Sequence, residues 1–142
     1  MQPQVIVDIL RKSQTVAVVG ISPKTERPSH QVAAYLQQAG YTIIPVNPGH
    51  KQILGEICYP DLTAIASRVD VVDIFRRSEL VVPIIQEAIA IGASSIWMQQ
   101  GIINVESAEL AERAGLSVVM DRCMKTEHIR LGTPLPGKTS EL

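Results

Sequence analysis

Residues 16–30 read VAVVGISPKTERPSH, and this stretch decides the class of fold. It opens inside a valine-rich apolar run, 15–20, which is typical of a parallel strand covered on both faces. The run ends at Gly20, where the chain must turn, and a helix is predicted to start at about Pro28. The loop between them contains serine, proline, lysine and arginine. Its length and charge indicate a ligand with phosphate groups, bulkier than the turn alone would hold.

Apolar strands and amphipathic helices alternate from this stretch to residue 121. Strands are predicted over 15–20, 41–46, 69–75, 94–99 and 117–121, and helices over 3–13, 28–39, 79–92 and 105–115, with 47–55 as a turn-rich loop. Such alternation indicates parallel strands joined by right-handed crossovers. We therefore expect an α/β, Rossmann-like doubly wound fold, with a mostly parallel sheet of five to six strands and helices on both faces. Residues 1–130 are expected to form one domain and 131–142 a C-terminal tail.

Composition excludes several classes of protein. The chain has 142 residues, and its formal net charge of −1 gives no general attraction to nucleic acid or to a membrane. Cys58 and Cys123 are too few for a disulfide framework, and their spacing is not that of a zinc site. No apolar run approaches the roughly 20 residues of a membrane span, and the N-terminus does not resemble a signal peptide. We expect a soluble, cytoplasmic protein without a metal.

Positive charge concentrates in the loops that follow the predicted strands. In a doubly wound sheet, ligands bind at the carboxyl ends of the strands. Candidate residues after the first three strands are Gly20, Ser22, Lys24, Arg27, Ser29, His30, Asn47, Pro48, Lys51 and Arg76. Because the chain as a whole is nearly neutral, this local excess predicts an anion site. The alternative is a plain turn at Gly20 with solvated cations around it.

Two features argue against NAD as the anion. The turn reads Gly20-Ile21-Ser22, so the second and third glycines of the dinucleotide fingerprint are missing. The position that usually carries an acid for the adenosine ribose is occupied by Val46-Asn47. Lys51 suits a phosphate better than a ribose hydroxyl.

Five stretches together carry a resemblance to a known family: VVGISPKTERPSHQVAAYL, GYTIIPVNPGHKQILG, DVVDIFRRSE, IWMQQGI and AGLSVVMDRCMKTEH. They resemble the small single-domain CoA-binding proteins, which are related to the CoA-binding domain of the succinyl-CoA synthetase alpha subunit. The resemblance implies a Rossmann-like domain that holds CoA, with residues 22–25 around the nucleotide phosphates. Lys51 would match the lysine after the Pro-Gly turn of the synthetase, and residues 74–76 would line the adenine and ribose side.

The predicted site combines the loop residues with those implied by the resemblance, and it contains no catalytic residue and no metal ligand. Its members are Gly20, Ile21, Ser22, Pro23, Lys24, Thr25, Arg27, Ser29, His30, Asn47, Pro48, Lys51, Ile74, Phe75 and Arg76. The phosphohistidine loop and the ATP-binding module of the synthetases have no counterpart in the chain. We therefore expect binding of CoA or an acyl-CoA without catalysis. The alternatives are an NAD(P)-dependent oxidoreductase, a partner-dependent acyl-CoA ligase subunit, and a regulatory interaction module with an empty site.

Several single residues allow two interpretations. Cys123, beside Arg122 and near Lys125, is either a packed cysteine or a reactive thiol that meets the thiol end of CoA as a mixed disulfide. The aspartates at 70, 73 and 121 are expected to be hydrogen-bonded structural residues, and the histidines at 50 and 128 to lie at the surface. Trp97 is expected in the core, with a place near the ligand as the alternative. The helix over 79–92 is apolar on more than one side, which suggests a homodimer.

Overall fold

The structure is a computed structural model that describes residues 2–132. Five helices span Gln2–Lys12 (α1), Pro28–Gln38 (α2), Val81–Ala90 (α3), Val105–Arg113 (α4) and Met124–Leu131 (α5). Seven strands span Thr15–Val19 (β1), Thr42–Val46 (β2), Gln52–Ile53 (β3), Glu56–Ile57 (β4), Val71–Ile74 (β5), Ser95–Met98 (β6) and Ser117–Met120 (β7). Short 3₁₀ turns cover Leu62–Ala64 and Ser78–Leu80.

Five of the strands form one sheet in the order β2-β1-β5-β6-β7. Every neighbouring pair in this sheet is parallel. The chain leaves β1 toward one edge, to β2, and later returns past β1 to begin β5 on its other side. This reversal of strand order is the mark of a doubly wound fold. The predicted fold class is therefore confirmed, and the sheet has the lower of the two strand numbers expected.

Alternate side chains of each strand enter two separate cores. Val16 and Val18 face a core covered by α1, α2 and α5, which contains Leu10, Leu36 and Met124. Residues Ala17 and Val19 of the same strand face the second core, under α3 and α4. A strand that is buried on both faces needs apolar residues at every position, which is why the run at 15–20 shows no alternation.

Two elements were not predicted. Residues 47–55, expected as a loop, contain β3, which pairs with β4 in a small antiparallel hairpin. Helix α5 follows β7 and ends at Gly132, whose φ of 65° is the left-handed conformation of a helix C-terminus. Only Met124 among the apolar residues of α5 is fully buried, so the helix lacks the apolar stripe on which the prediction relied. The predicted tail lies mostly at 133–142, outside the described residues.

The apolar sides of α3 have partners within the chain. Val81, Ile85 and Ala88 are buried against the sheet, while Ile84 and Ile89 are partly buried against the same core. Helix α3 also contacts α4 and the turn at Leu62–Ala64. These contacts lie within the chain, and the homodimer stays a prediction. Within residues 2–132, no helix is long and apolar enough to cross a membrane.

Candidate functional site

The reversal of strand order places a crevice at the carboxyl ends of β1 and β5. Gly20 follows β1 there with a φ of 89°, and its N–H donates to the Val46 carbonyl at 3.0 Å. A Cβ at Gly20 would lie 2.7 Å from the Phe75 carbonyl oxygen and 2.8 Å from Cδ of Arg76. Real Cβ atoms do not approach backbone so closely, so only glycine fits this turn. The sequence therefore brings the loops after β1 and β5 into contact.

The β1–α2 cleft, of about 520 Å³, opens beside this turn. It is lined by Gly20, Ile21, Ser22, Pro23, Lys24, Arg27, Pro28, Ser29, Asn47, His50 and Phe75. Nine of the fifteen predicted site residues thus lie around one cleft, although they come from three separate loops.

Helix α2 points its N-terminus at this cleft. Arg27 is the N-cap residue, its backbone is extended, and no side chain caps the helix. The first turn contains no acidic residue, and Pro28 has no N–H to satisfy. The N–H groups of Ser29 and His30 therefore have no acceptor inside the helix. These N–H groups, together with the positive end of the helix dipole, favour a phosphate oxygen.

A set of hydrogen bonds fixes the loop from 21 to 27. Ser22 N–H donates to Oγ of Ser29 at 2.9 Å, and Nδ1 of His30 donates to the Ser22 carbonyl at 2.9 Å. The Asn47 amide donates to the Ile21 carbonyl at 2.8 Å, which ties the loop after β2 to the loop after β1. Ser29 and His30 were predicted as ligand-binding residues, and this stays a prediction. In the structure their side chains hold the loop itself.

The cations at the site are not paired with carboxylates. Lys24, Arg27 and Arg76 are exposed, and within residues 2–132 none of the three forms a salt bridge. Arg77 lies 3.7 Å from Glu79 in an exposed pair, which contributes little. Unpaired cations around a cleft produce a positive potential that attracts an anion.

A second cleft, the β5–β6 cleft, adjoins the first and has a volume of about 670 Å³. It is lined by Pro28, Val32, Phe75, Arg76, Arg77, Ser78, Glu79, Gln99, Gln100, Gly101, Ile102 and Cys123. The two clefts share Pro28 and Phe75. A small pocket of about 230 Å³ adjoins both, since it shares Gly20 with the first cleft and Arg76 with the second, and Pro48 lines it. Together the three form one depression around Gly20, Phe75 and Arg76, at the carboxyl ends of β1 and β5.

Four of the implied residues do not line these clefts. Ile74 is fully buried in the core under α3 and α4, on the face of the sheet opposite to Phe75, so its side chain does not line the ligand side. Its neighbour Phe75 does, because successive side chains of a strand point to opposite faces. Thr25 and Lys51 are exposed and do not line the β1–α2 cleft. His30 is half-buried, and its Nδ1 contacts the Ser22 carbonyl.

The four residues after β6, residues 99–102, line the depression but were not assigned to the predicted site. Gln99 is buried, and its Oε1 accepts a hydrogen bond from Met124 N–H at 3.2 Å. Trp97 is fully buried, as predicted, and its indole N–H donates to the Arg122 carbonyl at 2.8 Å. Strand β6 therefore holds the start of α5, where Cys123 lies. The sequence signal for these missed site residues was the polar pair Gln99-Gln100 directly after a predicted strand.

The three aspartates differ from one another. Asp70 accepts hydrogen bonds from the N–H groups of Gln14 and Thr15, and Asp121 accepts one from Gly101 N–H, as expected of structural residues. The expectation is wrong for Asp73, which is fully buried on β5 and whose two carboxyl oxygens have no hydrogen-bond partner among the described residues. Burial raises the pKa of Asp73 well above its ordinary value, and the nearby Cys123 raises it further.

Asp73→Asn is expected to stabilise the protein more at pH 8 than at pH 4. Because the folded-state pKa of Asp73 is raised, the carboxyl lowers the free energy of unfolding as pH rises above its unfolded pKa of about 4, by up to about 1.4 kcal/mol per pH unit, until the folded pKa is passed. Below the unfolded pKa of about 4 the carboxyl is protonated in both the folded and the unfolded state, so the loss of stability is absent. Thermal unfolding at the two pH values measures the effect. We expect the melting-temperature difference, variant minus wild type, to be larger at pH 8 by about 3 °C or more.

Asp70→Asn is the control for this comparison, because Asp70 is hydrogen-bonded and paired with Arg68 at 3.1 Å. It should lower the melting temperature. A difference for Asp73→Asn that is the same at both pH values would contradict the assignment of Asp73 as a buried neutral acid.

Two other titratable residues serve the packing. His128 was expected at the surface but is buried, with Nδ1 2.7 Å from the Tyr35 hydroxyl, and burial lowers its pKa. Cys58 is buried, and its thiol donates to the Asn47 carbonyl at 3.5 Å. Burial raises the pKa of that thiol. Within the described residues, no group of three or more His, Cys, Asp or Glu could hold a metal ion.

Comparison with known sequences identifies relatives of two kinds. A sequence model described as a CoA-binding domain matches residues 14–129. The uncharacterized protein YneT of Bacillus subtilis is 40% identical over 123 residues, which cover 87% of this chain and 91% of YneT. The ADP-forming acetate–CoA ligase I of Archaeoglobus fulgidus is 28% identical over 121 residues. That match covers 78% of this chain but 18% of the ligase, so the chain corresponds to one segment of a much longer enzyme.

Solved structures show the same arrangement. A hypothetical protein from Pyrococcus horikoshii superposes with a TM-score of 0.88 at 39% identity, and the match covers 92% of each chain. The dinucleotide-forming acetyl-coenzyme A synthetase 1 of Ca. Korarchaeum cryptofilum superposes with a TM-score of 0.69 at 24% identity, over 80% of this chain and 26% of the synthetase. The second likeness shows a shared fold.

Proposed function

The chain belongs to the CoA-binding domain family, and on this basis we propose that it binds coenzyme A, or an acyl-CoA, along the carboxyl edge of its sheet without catalysis of its own. The observation that carries the proposal is the β1–α2 cleft, where an uncapped helix N-terminus and two unpaired cations, Lys24 and Arg27, face the same space. CoA carries a pyrophosphate and a 3′-phosphate. Charge-assisted hydrogen bonds to phosphate are the strong ones in such a site.

The three adjoining clefts offer space for the separate parts of CoA. In the proposed complex the pyrophosphate lies in the β1–α2 cleft, and the adenosine lies toward the small pocket, between Pro48 and Arg76. The pantetheine arm then extends past Phe75 into the β5–β6 cleft, where Ile102 offers apolar surface and Gln100 offers an amide. Lys51 is exposed beyond Pro48 and can approach the 3′-phosphate through its flexible side chain.

The same geometry disfavours NAD. Asn47 occupies the position of the ribose-binding acid, and its amide is engaged on both sides, with the Ile21 carbonyl at 2.8 Å and Gly49 N–H at 2.8 Å. Ser22 replaces the second glycine of the dinucleotide fingerprint, and its N–H donates to Oγ of Ser29. Its side chain lies where a glycine would let the backbone approach the pyrophosphate of a dinucleotide.

The experiment that tests the proposal is calorimetric titration with CoA and with dephospho-CoA, which lacks the 3′-phosphate. We expect dephospho-CoA to bind about tenfold or more weakly, since one charge-assisted phosphate contact is worth about 1.5–3 kcal/mol and a tenfold change is about 1.4 kcal/mol. The difference between the two ligands should shrink at high salt, because the contacting cations are exposed. Equal affinities would contradict the placement of a cation at the 3′-phosphate.

A further inference from the structure

Gln99, which follows β6, is a buried amide in the wall of the β5–β6 cleft. Only 4% of its surface is exposed, whereas its neighbour Gln100 in the same wall is exposed. Gln99 therefore meets a group that is inserted deeply into the cleft. Its side-chain Oε1 accepts a hydrogen bond from Met124 N–H at 3.2 Å, which fixes the orientation of the amide.

The other end of this amide, Nε2, is a free donor. Nε2 has no acceptor among the described residues. It is also not one of the fully buried side-chain atoms that lack a partner there, which belong to Asp73, Ser107 and His128. Nε2 is therefore accessible from the cleft that Gln99 lines. Polar groups of buried residues normally have a partner, so a free donor at this depth indicates a ligand with an acceptor.

The surroundings of Nε2 favour an acceptor that is attached to an apolar group. Val32, Phe75 and Ile102 line the same cleft and offer apolar surface. The N-terminus of α5 adjoins it, because the N-cap residue Cys123 lines the cleft, and no side chain caps that helix. Free N–H groups and the positive end of a helix dipole favour the oxygen end of a carbonyl. An acyl group combines such an oxygen with an apolar chain.

Resting on the proposed function, we propose that the chain is selective for acyl-CoA thioesters over free CoA, and that Gln99 recognises the thioester carbonyl through Nε2. In this complex the pantetheine arm extends past Phe75, and its end, which carries the acyl group, reaches the buried amide. The amides of the arm lie nearer to the cleft mouth, where Gln100 is exposed. Free CoA ends in a thiol, which is a weak hydrogen-bond acceptor and leaves Nε2 without a strong partner.

The test compares three ligands by calorimetric titration: CoA, acetyl-CoA and S-ethyl-CoA. S-ethyl-CoA carries two carbons on its sulfur, as acetyl-CoA does, but a methylene replaces the carbonyl. We expect acetyl-CoA to bind about fivefold or more tightly than S-ethyl-CoA, which is what one buried hydrogen bond contributes. If S-ethyl-CoA binds as tightly as acetyl-CoA, any preference over CoA comes from apolar contact, and the role given to Gln99 is wrong.

Two substitutions at Gln99 remove the donor in different ways. Gln99→Glu, measured at pH 8, keeps an oxygen for Met124 N–H but has no amide N–H, and a helix N-terminus favours its ionised form. Gln99→Met has a similar length and offers neither group. In both variants acetyl-CoA should lose its advantage over S-ethyl-CoA. A variant that keeps the full advantage would overturn the proposal.

Gln100→Ala is the matched control, because it removes an amide from the same wall of the cleft. This amide is exposed, and in the proposed complex it lies beside the arm that all three ligands share. Gln100→Ala should therefore weaken the three ligands to the same extent and preserve the preference for acetyl-CoA. Loss of the preference in this variant would show that the carbonyl is not recognised at Gln99.

The thioester carbonyl also gives a spectroscopic readout of the hydrogen bond itself. A hydrogen bond to its oxygen lowers the stretching frequency of the carbonyl, which isotope-edited infrared spectroscopy of carbonyl-labelled acetyl-CoA measures. We expect a lower frequency for acetyl-CoA bound to the wild-type chain than for acetyl-CoA bound to Gln99→Met. A change in packing or stability alone would not produce this shift. Equal frequencies would show that Gln99 does not contact the thioester.

The selectivity and the proposed function fail in different ways. If CoA binds, but acetyl-CoA binds no more tightly than S-ethyl-CoA, the selectivity is refuted and the proposed function stands. If Gln99→Met weakens all three ligands equally, Nε2 binds a carbonyl of the shared arm, and the selectivity is refuted as well. If none of the three ligands binds, the proposed function fails and the selectivity fails with it.

Discussion

The double variant Lys24→Ala, Arg27→Ala is expected to bind CoA about 100-fold more weakly than the wild-type chain. Both cations line the β1–α2 cleft, and within residues 2–132 neither is paired with a carboxylate. Each charge-assisted contact to a phosphate is worth about 1.5–3 kcal/mol, and we take the lower end because both side chains are exposed to solvent screening. Calorimetric titration in a buffer of low ionic strength measures the loss.

A matched control removes the same charge elsewhere. Lys12 and Arg113 lie in the last turns of α1 and α4, which precede strands, so they are at the amino edge of the sheet, opposite to the clefts. Lys12→Ala, Arg113→Ala should leave CoA affinity within about twofold of wild type. If both double variants lose affinity to the same extent, general attraction rather than the β1–α2 cleft holds the ligand. The salt dependence of binding should also be weaker in the cleft variant than in wild type.

The second large effect is expected at Gly20. Gly20→Ala should lower the free energy of unfolding by about 2–3 kcal/mol and the melting temperature by about 6–10 °C. Two causes add: a left-handed φ of 89°, and a Cβ that would meet the Phe75 carbonyl at 2.7 Å. The clash forces the loops after β1 and β5 apart, which moves Arg76 and Phe75 relative to the β1–α2 cleft. CoA affinity should therefore fall together with stability.

The variant Gly115→Ala distinguishes the cost of the left-handed φ from the cost of the steric clash. Its φ of 92° is similar, but among the described residues other than its own chain neighbours no heavy atom lies within 4 Å of the position that a Cβ would occupy. Gly115→Ala should therefore cost only the conformational strain, about 1 kcal/mol, and leave CoA affinity unchanged. Thermal unfolding and CoA titration of both variants make the comparison. Equal losses at the two glycines would show that the approach of Gly20 to β5 does not determine the site.

The sheet was predictable from the sequence because strands that are buried on both faces are apolar at successive positions, and such runs are visible in the sequence. Thr15–Val19 is apolar after its first residue, and Val71–Ile74 is apolar except at Asp73. A loop with basic residues follows each strand. The site was predictable to the extent that it consists of loops after strands, since parallel strands bring those loops to one edge. That rule alone is enough to select Lys24 and Arg27, which both line the β1–α2 cleft.

The parts that were missed depend on contacts between distant residues. The start of helix α5 is held by Trp97 of β6 and by Gln99, which follows that strand, and neither contact has a local signal in residues 124–131. His128 is buried only because Tyr35 and Tyr41 from α2 and the following segment surround it. Ile74 and Phe75 were assigned to the site together, although the pleat of a strand directs only one of them to the ligand side.

Titration of CoA and NAD into the wild-type chain, in reductant and at low salt, tests the central claim most directly. The account predicts saturable one-to-one binding of CoA and NAD binding that is weaker by about 100-fold or more, because CoA has one more phosphate group for the free cations and the Asn47 position offers no acid to the ribose. Heat from NAD without heat from CoA would contradict the account.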